Sequence, residues 1–416
     1  MRSRSSIKML LRRRQFATMS AGSSVSAFGD AISPIMLAFC VLEATHSVAY
    51  LGLVVGARAA AHVVCLIFAG VLADRFPRVR VMTYSCAASV VSQLLLAAAA
   101  LWVPTNHLWL IGAAVLNGAT TAFYAPAAMG HLPDTVDEVD LVPANAVYRV
   151  SSNGAGILGT IFASVLVGFV PPAVGLFVDA ATFMVAAVLL ASLKSPRTER
   201  RAVDEGSVLT NLAEGWSVFW GHFWIKATVG AFAVVNFAFA AAYFVLGPAV
   251  ASEGLGKSSW SLVAAGQAAG FLLGGIASLR MPRRHVLVYG LLCSVPFAGF
   301  LFALGAAVPL ALLVVLSVAA GFGLELFNVS WQVVLQSNVP RRYLSRISAY
   351  DQLGSFVAIP LGELLSGPIA AGLGVSRTLS VFAIVCAATC LALAVTHPVR
   401  AVGVRLTLDA QRAIGA

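Results

Sequence analysis

The 416-residue chain is 59% hydrophobic and only 11% charged, against roughly 25% charged residues in a soluble globular domain. This excludes a soluble enzyme or binding module and indicates a chain that crosses a membrane many times. The formal net charge of +10 is dispersed in short clusters between apolar runs, with no continuous basic face, so no nucleic-acid partner is expected.

The basic opening leads into an apolar run from Ala17 to Val41. That run is too long for a signal-peptide core and has no small-residue cleavage site at its end, so it reads as a retained first helix. With about 20 apolar residues needed per crossing, further spans are expected near 47–72, 80–103, 106–130, 143–169, 172–193, 224–250, 258–279, 285–306, 309–336, 346–371 and 377–397. The runs do not alternate as barrel strands do, and lipid offers backbone groups no partner, so each span is expected to be a helix. The expected fold is therefore all-α, with twelve transmembrane helices in two six-helix pseudo-repeats. These are residues 1–193 and 224–416, joined by a cytoplasmic linker over 194–223. Within the linker, Leu209, Leu212, Trp216 and Phe219 are spaced for an amphipathic helix lying on the inner surface.

Of the 27 Lys and Arg residues, only Lys257 and Arg377 fall in loops on one side, while clusters such as Arg12–Arg14, Arg75–Arg80, Lys194–Arg201 and Arg341–Arg346 fall on the other. The positive-inside rule then places both termini in the cytoplasm of a plasma-membrane protein. The halves also repeat. A shift of 203 residues sets Gly118 on Gly321, Leu158 on Leu361 and Gly159 on Gly362, and a shift of 205 sets Gly70, Arg75, Pro77 and Arg78 on Gly275, Arg280, Pro282 and Arg283. The second copy has Leu279 where the first has Asp74.

The stretch Gly70-Val-Leu-Ala-Asp74-Arg75-Phe76-Pro77-Arg78-Val-Arg80 resembles the loop between helices 2 and 3 of the major facilitator superfamily, G-x-x-x-D-R/K-x-G-R/K-x-R/K, with Pro77 in place of the usual Gly. Gly29-Asp30 in the first span and Ala144-Asn145-Ala146 at the start of the fifth are similar to drug and siderophore exporters of the enterobactin-exporter type. The resemblance runs from Asp30 to the end of the twelfth span. It implies a monomeric secondary transporter whose two halves rock about a midplane cavity. It also implies a conformational latch made by Gly70, Asp74, Arg75, Arg78 and Arg80, with Asp74 facing the start of the eleventh helix near Arg346. The alternative is that these residues only fix topology. The antiporter pattern G-P-x-x-G-G is degraded in the fifth span, where Thr160 and Ala163-Ser164 replace its proline and glycines, so the direction of transport stays open.

Charges at membrane depth are costly, about 2.5–3.5 kcal/mol each at a helix centre on insertion scales, and so mark function. Asp30 and Arg58 share a depth nearly 20 Å from the cytoplasmic face at about 1.5 Å per residue, and His62 lies one turn beyond Arg58. These three read either as a proton-responsive site, with ionised Asp30 holding Arg58, or as a permanent ion pair. Glu325 and Glu363 are further candidates for coupling, and Asp179 and Asp351 are also embedded. Asn117, Tyr124, Asn236, Tyr243, Gln267, Asn328, Trp331 and Gln332 are either the walls of a cavity for an amphipathic compound or helix-packing residues. The six cysteines lie within spans as packing residues without metal-ligand spacing, and no nucleophile motif appears. No enzyme activity, cofactor or metal is expected. The expected function is proton-coupled export of a small amphipathic drug, siderophore or secondary metabolite, with membrane lipid as surroundings. Import or lipid flipping is the alternative, and a membrane-embedded enzyme or receptor a remote one.

Overall fold

Continuous apolar runs in lipid have to satisfy their backbone groups internally, and each expected span is helical in the computed structural model. The structure describes residues 10, 12–102, 107–137, 140–193, 219–278, 285–339 and 341–402. The helices are α1 (Arg14–Thr45), α2 (Val48–Arg75), α3 (Arg78–Trp102), α4 (His107–Thr121), α5 (Tyr124–His131), α6 (Leu141–Leu166), α7 (Pro172–Ala191), α8 (Phe223–Ala240), α9 (Lys257–Ser278), α10 (Val286–Cys293), α11 (Val295–Gly305), α12 (Leu310–Asn338), α13 (Arg341–Leu373), α14 (Val375–Val395) and the short α15 (His397–Ala401). The fourth expected span is divided into α4 and α5, and the ninth into α10 and α11. Among the described residues, ten helical stretches are long and apolar enough to cross a membrane. Of the other two expected spans, α6 is made more polar by Asn145, Tyr148, Arg149 and Asn153, and in α13 the apolar stretch among the described residues is Val357–Leu373.

Local chemistry sets several boundaries. α1 stops at His46, which takes a left-handed conformation (φ 48°), and Ser47 caps α2 by accepting from the Tyr50 amide at 3.2 Å. Beyond α8 the chain keeps coiling through wider turns over Ala241–Leu246 and Ala251–Leu255 until Gly256 (φ 88°) redirects it into α9. The amphipathic helix expected in the linker lies outside the described residues apart from its end at Phe219 and Trp220.

The chain forms two compact units. One comprises Met1–Arg201 with Tyr243–Leu262 and Glu363–Pro368, and the other comprises Ala202–Ala242, Val263–Gly362 and Ile369–Ala416. The first unit has a core of Phe16, Met19, Met82, Cys86, Phe183 and Leu190. Within it, Lys257 pairs with Glu43 and lies over the Phe39 ring. The second has its own core, built around Trp224, Ile225, Leu287, Phe327 and Leu335.

Since lipid is as apolar as leucine, helices in a membrane associate through close backbone approach and polar contacts. The repeat follows this rule. In the first unit, a Cβ on Gly118 would run into the Arg58 carbonyl and one on Gly159 into the Phe28 carbonyl. In the second unit, Gly321 bears the same relation to the Gln267 carbonyl and Gly362 to that of Phe237. The glycines matched by the 203-residue shift thus make matching crossings, α4 on α2 with α12 on α9, and α6 on α1 with α13 on α8. These crossings make Arg58 the counterpart of Gln267, and Phe28 that of Phe237.

Candidate functional site

A connected set of embedded polar residues runs through the first unit. Arg58 on α2 donates from Nε to Asn117 Oδ1 on α4 at 2.8 Å. Asn117 donates to Gln93 Oε1 on α3 at 2.8 Å, and Gln93 donates to Ser33 Oγ on α1 at 2.8 Å. Each amide accepts on one side and donates on the other, so both orientations are fixed. Ser33 on α1 neighbours the carboxyl of Asp179 on α7. Asp179 accepts from Thr182 Oγ1 at 3.3 Å, while its Oδ2 has no hydrogen-bond partner. Asp179 is 1% exposed. It packs against the backbone of Gly29, beside Asp30, and a Cβ on Gly29 would displace it.

Asp30 is half-buried and accepts from Ser26 Oγ at 3.3 Å. Among the described residues no ion pair joins it to Arg58, although each lies within electrostatic reach of the other. Equal depth on two helices fixes height without fixing direction, and Asn117 occupies the side of α2 to which the guanidinium turns. His62 turns to Thr121, Nδ1 to Oγ1 at 3.2 Å. Glu363, 3% exposed and with Oε2 unpartnered, also acts on Arg58. Glu325 lies apart in the second unit and is half-buried.

The expected cavity residues separate. Asn117 and Gln267 are each 1% exposed. Asn117 belongs to the polar chain, while both side-chain polar atoms of Gln267 lack partners. Tyr124 shares a 2.6 Å hydrogen bond with Ser23. Trp331 is buried in the second core, edge-on to Trp224, and donates to Asp351 Oδ2 at 3.0 Å. Asp351 is accordingly buried against a donor instead of reaching water. Tyr243 packs on Trp260, Asn236 is half-buried, and Asn328 and Gln332 are exposed. A cavity of about 410 Å³ lies between α8 and α14 of the second unit, lined by Lys226, Thr389 and Thr396 among others and by none of the residues expected from sequence.

In the loop after α2, Arg78 donates to the Gly130 carbonyl at 2.6 Å and to Asp134 Oδ2 at 3.3 Å. Arg80 is exposed. The side chains of Gly70, Asp74, Arg75 and Arg346 lie outside the described residues.

Applying the correspondence to the polar centre brings out an asymmetry. Asp30 corresponds to Phe239, Arg58 to Gln267 and Asn117 to Ala320, and the 203-residue shift carried on into α7 sets Asp179 on Phe382. Where the first unit has the Ser23–Tyr124 hydrogen bond, the second has Phe232 stacked on Phe327 with ring centroids 4.1 Å apart. The crossings thus recur in both halves, while the positions of Asp30, Arg58 and Asp179 are ionisable in the first half and not at their counterparts in the second.

A duplicated helical membrane protein with a charged centre in one repeat is the architecture of a secondary transporter, a non-enzymatic class. Residues 19–363 match the family model of the Major Facilitator Superfamily, and the chain belongs to that family. It is 24% identical over 312 residues, 71% of this chain and 73% of the relative, to YvqJ, an uncharacterized MFS-type transporter of Bacillus subtilis (strain 168). Its fold is similar to that of the nucleoside transporter NupG (TM-score 0.70, 14% identity, 91% of this chain and 98% of that one). It is also similar to a bacterial homologue of the human lysosomal transporter Spinster in an inward-facing, unoccupied conformation (0.68, 16%, 96% and 97%). A D-xylose-proton symporter matches with a TM-score of 0.68 at 12% identity, over 91% of this chain and 96% of that one.

Proposed function

We propose that this transporter exports a small amphipathic organic compound, such as a drug, siderophore or secondary metabolite, in exchange for protons, with Asp30 and Arg58 as the coupling centre. The observation that carries the reading is the asymmetry of the repeat. Both units need the crossings, so crossings are structural, whereas a charged centre kept in one unit at the cost of desolvation has a task beyond holding helices together. Ionised Asp30 attracts Arg58 and protonated Asp30 does not, so the proton changes the force between α1 and α2. The fold likeness to a proton symporter is compatible with this coupling. On this reading both termini are cytoplasmic, the protein works in the plasma membrane as a monomer, and Asp74 with its arginines latches one state.

A screen for compounds whose cellular accumulation falls on expression, and recovers when the proton gradient is collapsed, tests the proposal. Compounds that accumulate instead would establish import. Asp74→Asn is expected to slow cycling with insertion unchanged.

A further inference from the structure

We propose that Asp179 is the second carboxyl of the coupling centre, and that Asp30 and Asp179 hold a single proton between them against the one guanidinium of Arg58. The inference rests on the proton-coupling reading and names a residue and a proton count that the reading does not contain.

Three observations converge on Asp179. First, it packs on Gly29, the residue before Asp30, with the two carboxyl groups and Arg58 within mutual electrostatic reach. Second, a hydrogen-bonded chain runs from Arg58 on α2 through Asn117 on α4 and Gln93 on α3 to Ser33 on α1, which neighbours the Asp179 carboxyl. Third, Asp179 Oδ2 is buried without a donor. A buried carboxylate oxygen with no hydrogen-bond donor is expensive to keep, and a proton removes the cost.

The charge count follows. Two carboxylates around one guanidinium leave one negative charge in a low-dielectric setting, and one shared proton neutralises it. Asp30 is half-buried and can exchange that proton, while Asp179 is sealed. The other titratable groups facing the pair are Cys86 and Tyr124, which feel Asp30, Tyr148 beside Tyr124, His62 one turn from Arg58, and Glu363, which feels Arg58. A metal cation in place of the proton is disfavoured by Arg58 at the centre, and among the described residues no three His, Cys, Asp or Glu side chains converge as metal ligands.

The test is a pH titration of the full chain in lipid vesicles by infrared difference spectroscopy, reading the carbonyl-stretch band of protonated carboxylic acids, with the proton itself as probe. A Glu363→Gln background removes the other buried acid that acts on Arg58. The expected result is one titrating band that is lost in Asp179→Asn and equally in Asp30→Asn, because either variant leaves one carboxylate balanced by Arg58. A band unchanged in Asp179→Asn but absent in Asp30→Asn overturns the inference and leaves the proton-coupling reading intact. If Asp30→Asn removes no titrating band from the background protein, both are overturned. Should Asp179→Asn fail to fold, Asp179→Glu keeps the carboxyl and is expected to move the band and its midpoint, and an unmoved band contradicts the shared proton. Sodium in place of potassium should leave the titration unaltered, and a sodium-dependent midpoint would overturn the proton assignment.

Discussion

Arg58 meets Asn117 through a 2.8 Å hydrogen bond one residue away from the point where Gly118 lies under the Arg58 carbonyl. One turn of α4 therefore holds both the backbone and the side chain of the membrane-embedded arginine. Replacing Asn117 by Ala strands the Arg58 Nε–H and a Gln93 acceptor. Leaving a buried group unsatisfied costs about 1–3 kcal/mol, more for a charged one. Asn117→Ala should lower the unfolding temperature in detergent, whereas Asn328→Ala, at an exposed position, should leave it near the parent value.

The repeated crossings predict matching sensitivities. Gly118→Val and Gly321→Val each drive a side chain into a carbonyl of the neighbouring helix, and overpacking of this kind costs typically about 1–3 kcal/mol. A Cβ on Gly112 or Gly299 meets no other atom within 4 Å, so Ala at either site should be neutral in the same thermal assay. Comparable losses at 118 and 321 would show that the two crossings are mechanically equivalent.

At the start of α1, Arg13 Nη2 bonds Asp137 Oδ2 at 2.5 Å and Asp140 Oδ2 at 3.0 Å. The hydrogen bond from Arg13 holds the Asp137 carboxyl below its ordinary value, and the Arg13 guanidinium is correspondingly raised, chiefly by that same bond. A carboxyl lowered by folding adds stability that is fully present above its unfolded value, about 3.9, and is lost as pH falls through the lower folded value. Hydrogen exchange near residues 13–18 should thus be slow from neutral pH down to about 4 and quicken in stronger acid. Arg13→Ala should remove that acid dependence. The pair is solvent-exposed, so the effect is local and weakened by salt.

Much of the fold was legible in the sequence because membrane insertion imposes a coarse rule, an apolar run of sufficient length, and each expected span contains a helix within a few residues of its bounds. The repeat was legible for a similar reason. Gly118, Gly159, Gly321 and Gly362 sit where backbones touch, and few other residues fit there. Less of the candidate site could be read. Depth along a helix comes from counting residues, so Asp30 and Arg58 could be set at one level, but which way Arg58 turns depends on α4 packing against α2, and Asn117 took that place. Asp179 was visible as an embedded acid, while its position against Gly29 depends on α7 lying against α1. Trp331 and Asp351 show the opposite limit, since polar groups within a span satisfy one another as readily as they line a cavity.

Coupling of transport to protons is assigned to the charged centre of the first unit. The direct measurement uses proteoliposomes and the first compound found by the accumulation screen, comparing uptake driven by a pH gradient with compound-for-compound exchange at equal pH. Asp30→Asn is expected to abolish the gradient-driven accumulation and retain exchange, while Phe239→Leu, at the corresponding position of the second unit, is expected to retain both. Gradient-driven accumulation undiminished in Asp30→Asn would contradict the assignment.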